Sequence, residues 1–227
     1  MDFPQLQAKI VHVNNVFHNL AADVDLNDPS YIFSLCFIAF NPIFWNIVAR
    51  AEYNTHFLTK LFGSARRGCY FLAFTIFSLG IARDFVYERA LAAQPTSQLL
   101  LSYPLLTNYV SVALFAYGNI LVLSSMYALG VTGTYLGDYF GILMDHRVSG
   151  FPFNISDNPM YQGSTLCFLG TGLWYGKPAG IFASLLVHYM YNIALWFEEP
   201  FTGKIYAEKA AKDEKEAAKS ETEAKNE

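Results

Sequence analysis

Apolar residues in this chain come in long blocks, and polar residues gather between the blocks rather than alternating with them. The first block covers residues 31–49 and is interrupted by Asn41-Pro42. Proline there removes a rung from the helical ladder, so the block reads as a kinked span or a re-entrant one. A polar connection with Arg50, Lys60, Arg66 and Arg67 follows, then a second block over 68–82 that Arg83-Asp84 closes. Residues 87–104 read as a loop, and 105–131 as a third block with small and hydroxyl residues inside it. Two further blocks, 160–175 and 178–197, are joined by Gly176-Lys177 and read as a hairpin. Block lengths near the ~20 residues a bilayer demands predict an all-α, polytopic membrane helix bundle of four or five spans.

Composition agrees with that pattern. Apolar residues make up 53% of the chain and charged residues only 15%, which leaves little for a separate soluble module. The expected organisation is an amphipathic N-terminal extension over 1–29, a membrane domain over 30–206, and a charged tail over 207–227 that is weakly helical or disordered. A net charge of −4 gives no reason to expect nucleic acid. Cys36, Cys69 and Cys167 are scattered through apolar runs, with neither metal-ligand nor disulfide spacing, so no metal site is expected. The most basic connection, 50–67, argues for the cytosolic side. Five crossings then place the N-terminus in the lumen, and segment 133–159 and the Glu198-Glu199 end in the cytosol.

Chemistry concentrates in two places. Glu198 and Glu199 follow the last apolar block directly and precede Pro200. They mark either the point where the helix leaves the membrane, with Pro200 stopping it, or a site for a cationic ligand, because carboxylates at a span's edge are costly unless something compensates them. Segment 133–159 crowds Asp138, Asp145, His146, Arg147 and Asp157 among aromatics. That crowding suits an interfacial loop as well as an active site. No Gly-x-Gly-x-x-Gly follows a strand, so no Rossmann domain is expected. A nucleophile elbow and a His-Glu-x-x-His pair are missing as well.

Taken together, several stretches resemble the phospholipid methyltransferase family. They are Gly133-Thr-Tyr-Leu-Gly-Asp-Tyr-Phe-Gly-Ile-Leu143, Asp157-Asn-Pro-Met-Tyr161, Glu198-Glu-Pro-Phe-Thr-x-x-Ile-Tyr206 and Phe40-Asn-Pro-Ile-Phe-Trp-Asn-Ile-Val-Ala-Arg50. The resemblance runs from about residue 25 to 206. It implies S-adenosylmethionine as methyl donor and a membrane phospholipid, an ethanolamine lipid, as acceptor. The reaction implied is stepwise N-methylation of phosphatidylethanolamine derivatives to phosphatidylcholine, the first step included or not. It also implies a multi-pass protein of the endoplasmic reticulum with a cytosolic C-terminus, a mitochondrial membrane being the other location.

Two cofactor motifs are attributed to the family. One is the glutamate pair, Glu198 and Glu199. The other is a Gly-x-Gly in the third long span, which falls on Ala116, Tyr117 and Gly118 with alanine in the leading place. Asp138, His146 and Asp157 are candidates for the group that takes the acceptor's proton. Arg147, Asn158 and Tyr161 are the candidate substrate-binding residues, Arg147 for the lipid phosphate. Two other readings stay open: a related membrane methyltransferase acting on another amphipathic acceptor, and a non-catalytic lipid-binding or transport protein.

Overall fold

A computed structural model describes residues 3–145 and 148–224, and among them every regular element is helical. Helix α1 spans Phe3–Ala22, α2 Pro29–Thr55, α3 Phe57–Phe62, α4 Ala65–Ala93 and α5 Gln98–Leu101. A π-helical turn at Leu105–Val110 leads into α6, Ser111–Thr134, and a 3₁₀ turn at Gly137–Phe140 follows it. Helices α7, Pro159–Trp174, and α8, Pro178–Ala224, complete the chain.

Helix α2 begins where sequence chemistry asks for it. Asp28 caps the first turn by accepting from Ser30 N at 2.8 Å, and Pro29 holds the first helical position. The Ser30 hydroxyl and backbone N–H hold the Asp28 carboxyl below its ordinary value. The cap therefore contributes at neutral pH and fades as acid protonates it. Asn41-Pro42 does not turn the chain back: α2 continues for 27 residues as one helix. A single lost rung is offset by lateral packing, in which Tyr31 donates to Ala179 O on α8 at 2.8 Å. Nor does Arg83-Asp84 close the second span. Helix α4 runs on to Ala93 because the Arg83 guanidinium finds partners inside the bundle.

Four helical segments are long and apolar enough to cross a bilayer: Pro29–Thr55, Ala65–Ala93, Leu105–Phe140 and Pro178–Lys212. Helix α7 lies antiparallel between α6 and α8 but has only 16 residues, about 24 Å at about 1.5 Å per residue. It is short of the ~30 Å hydrocarbon core. One end of the bundle is sealed. There Asp25 and Gln94 exchange two hydrogen bonds, Ser97 N donates to Gly176 O, and Lys177 Nζ donates to Gln94 O. At the other end, the short α7 leaves a vestibule above Asn158 and Pro159.

Helices α6 and α7 approach closely on small residues. Ser111, Gly118 and Ser125 recur every two turns on the buried face of α6, with Gly163 and Gly170 facing them from α7. Near its end α6 bends at Gly130, whose φ of 64° and ψ of −175° suit glycine alone. That bend steers 132–138 toward the vestibule.

A Cβ at Gly118 would lie 2.5 Å from Gly163 O and 2.8 Å from Cys167 Sγ. Gly118→Ala should therefore force the two helices apart and cost about 1–3 kcal/mol, read as a lowered unfolding transition in detergent. Gly80→Ala, where nothing lies within 4 Å, should be neutral or slightly stabilising.

Candidate active site

The glutamate pair does not sit at a helix end. Helix α8 passes through Pro200 without stopping and extends to Ala224. Proline cannot donate, so the carbonyls one turn earlier need other partners. Arg50 Nη2 donates to Phe197 O at 2.7 Å, and its guanidinium lies over the Phe197 and Phe201 rings. Against the expectation of a stop, the helix runs through Pro200, and α2 braces the turn that precedes it. The tail after residue 207 is helical because it continues α8.

Successive residues on a helix point about 100° apart, and the two glutamates accordingly go different ways. Glu198 turns inward. Trp45 Nε1 donates to its Oε1 at 2.7 Å, Asn46 Nδ2 donates to the same oxygen at 2.9 Å, and the Tyr161 hydroxyl donates to Oε2 at 2.7 Å. All three donors are neutral. No lysine or arginine among the described residues forms an ion pair with Glu198, so its carboxyl is held by neutral donors alone. Glu199 is more exposed and accepts from Asn158 Nδ2 at 3.1 Å.

Beneath Glu198 lies an aromatic wall. Trp45 and Tyr161 are parallel within 5° at 6.4 Å between centroids, and Tyr161 stacks on Tyr191 at 4.6 Å. The wall borders a cavity of about 1240 Å³ that reaches from the vestibule deep between α4 and α6. Asp138, Asp157, Asn158, Tyr161, Glu198 and Glu199 all line it. Its outer rim is tied down: Thr202 Oγ1 donates to Asp138 Oδ2 at 2.9 Å, and Met144 N donates to the Tyr206 hydroxyl at 3.2 Å. The part of α8 beyond Pro200 thus braces the loop that follows α6.

Comparison with known proteins decides what this site belongs to. A phospholipid methyltransferase family model matches residues 106–209. The phosphatidyl-N-methylethanolamine N-methyltransferase of Saccharomyces cerevisiae is 60% identical over 197 residues, covering 86% of this chain and 94% of the relative. The chain belongs to the phospholipid methyltransferase family. The phosphatidylethanolamine N-methyltransferase of Rattus norvegicus is 46% identical over 189 residues, covering 83% of this chain and 94% of that enzyme. No solved structure matches the chain. A family of enzymes leaves no place for the reading of a non-catalytic lipid carrier.

Within this methyltransferase the residues expected to act are only partly brought together. His146 and Arg147 lie outside the described residues. Ala116 and Tyr117 face outward from α6, and Gly118 packs against α7, so none of the three lines the cavity. The small residue at 118 is needed for close helix approach, which explains glycine there without a ligand. Sequence reasoning missed Trp45, Asn46, Tyr191 and Arg83. The first two lie in the Phe40–Arg50 stretch that carried the resemblance, but nothing in their spacing shows that they meet Glu198. Arg83 looked like a span's end; an arginine within an apolar helix is itself a signal.

Tyr161→Phe keeps the ring stack and removes one donor from Glu198. Loss of a hydrogen bond to a charged group should cost about 1.5–3 kcal/mol, measured as a lowered thermal transition of the purified chain.

Proposed function

We propose that this chain uses S-adenosylmethionine to methylate the amine of N-methylated phosphatidylethanolamines, carrying phosphatidyl-N-methylethanolamine through its dimethyl form to phosphatidylcholine. The observation that carries this reading is the Glu198 carboxylate, held by neutral donors on an aromatic wall. Such a site favours a cationic ligand, and both the donor's sulfonium and the methylated headgroup are cations. The curated relatives support the acceptor: the yeast enzyme is named for phosphatidyl-N-methylethanolamine and the rat enzyme for phosphatidylethanolamine.

The residues present fit the donor. Among the described residues, buried Asn41 Nδ2 and Thr134 Oγ1 have no hydrogen-bond partner, and both belong to residues that line the same cavity. Unsatisfied polar atoms on residues of a carboxylate-lined cavity are what a polar ligand with an amino-acid end and a ribose would meet. Glu198 holds the cationic part, with Asn41 and Thr134 as further contacts. Bound there, the donor supplies an electrophilic methyl group.

The chain's own task is then positioning and desolvation. The headgroup arrives as an ammonium and must pass a proton to a carboxylate before the amine can attack. Of the carboxylates that line the cavity, we assign that role to Asp138 or Asp157. As the N–C bond forms, positive charge passes to the nitrogen, and the faces of Trp45, Tyr161 and Tyr191 accommodate it. Lys60, Arg66 and Arg67 lie at the vestibule end of the bundle and support a cytosolic mouth in the endoplasmic reticulum, where the donor is dissolved.

Glu198→Gln keeps shape and removes charge. It should weaken donor binding about tenfold or more, while Glu199→Gln, already exposed and paired with Asn158, should do less. Equilibrium binding of labelled donor to the purified variants measures both, and wild-type affinity in Glu198→Gln would refute the assignment. Offering the three acceptor lipids separately with labelled donor tests the reaction itself. Transfer should be fastest to the mono- and dimethyl lipids.

A further inference from the structure

The cavity has a second end that the donor does not explain. Between α4 and α6, which touch at few points, its lining is apolar: a slot with Ile76, Phe77 and Gly80 on one side and Val122, Met126 and Leu129 on the other. Phe77 is 48% exposed, and Gly80 has nothing within 4 Å of a Cβ position. At the inner end stands Arg83, 8% exposed inside a span. An ionised side chain at that depth is expensive and is retained where it has a task.

Its bonding leaves donors to spare. Nε and Nη2 donate to Asp84 Oδ1 at 2.9 and 2.8 Å, and Nη1 donates to the Tyr191 hydroxyl at 2.7 Å. A guanidinium has five N–H groups, so one on each terminal nitrogen remains. Both Arg83 and Asp84 line the cavity. Tyr191 precedes Glu198 by two turns of α8, about 10 Å, and its ring stacks on Tyr161, which donates to Glu198. Along α4 the slot residues lie between the vestibule end and Arg83, so the slot flanks the aromatic wall and the guanidinium stands at its deeper end, level with Tyr191. A diacyl phospholipid carries the groups that these features suit: acyl chains for the slot, phosphate for the guanidinium, an amine for the carboxylate and aromatic wall.

Resting on the methyltransferase reading above, we propose that the α4–α6 slot is the lateral entrance for the phospholipid acceptor, and that Arg83 holds its phosphodiester while the amine reaches toward Glu198. Arg83 is then a substrate-binding residue, and phosphate recognition sets which amines are methylated. Planar guanidinium donors suit a phosphodiester better than a lysine would.

The test compares two acceptors on the purified full chain in lipid nanodiscs. One is phosphatidyl-N-methylethanolamine; the other is a diacylglycerol whose methylaminoethyl group is joined by an ether, without phosphate. Arg83→Gln should lower kcat/KM for the phospholipid about tenfold or more, leave the phosphate-free acceptor within about twofold, and leave donor affinity unchanged. Equal losses on both acceptors would mean that Arg83 only braces the bundle, and no loss on either would mean that it does not meet the lipid; each overturns the proposal. Gly80→Phe fills the slot at a position with open space, so it should fold, raise KM for the phospholipid and spare donor binding. An unchanged KM there would remove the slot as entrance. A wild-type chain that bound no donor and methylated neither acceptor would instead defeat the methyltransferase reading, and this inference with it.

Discussion

Placing a carboxylate near the edge of the hydrocarbon is costly unless its oxygens are satisfied, and satisfying them with a cation would leave nothing for a ligand. Glu198 resolves this with an indole N–H, an amide and a phenol, drawn from α2 and α7. The three helices must therefore hold one arrangement for the charge to be tolerated. Much of the bundle serves that requirement. Small residues let α6 and α7 close up, Tyr31 ties α2 to α8, and Tyr87 donates to Phe168 O to tie α4 to α7 at 2.8 Å.

The two ends of the bundle are unlike because their polar groups are spent differently. At the sealed end, Gln94 and Lys177 use their hydrogen bonds on neighbouring backbone. At the open end, carboxylates and amides line a cavity, and hydroxyl ties from Thr202 and Tyr206 only hold its rim. Stability is gathered at one face and chemistry at the other, as expected where a site needs polar groups not already committed to each other.

What the sequence made legible was local. Block length announced an all-α membrane bundle, and the adjacent glutamates announced a charge problem at the end of the last block. Both are visible because hydrophobicity and charge are properties of single positions. The remainder depended on partners far along the chain. The turn before Pro200 is braced by Arg50 from α2, and Arg83 is held inside a span by Tyr191 from α8. Gly118 shows the converse: a glycine placed by resemblance in a cofactor motif is fully occupied by the backbone of α7. Nothing in the spacing of residues 116–118 distinguishes the two uses of a small side chain.

The shortness of α7 has a consequence for the membrane itself. Lipids beside a 16-residue helix must compress or tilt to match about 24 Å of apolar length, whereas those beside α4, with 29 residues, need not. The protein thus imposes an uneven thickness on its surroundings, thinnest beside the vestibule. Headgroups drawn toward that short side would lie nearer the bilayer centre than those beside α4. Part of the work of bringing a polar amine down to Glu198 is then done by the deformed leaflet, before any lipid has left it.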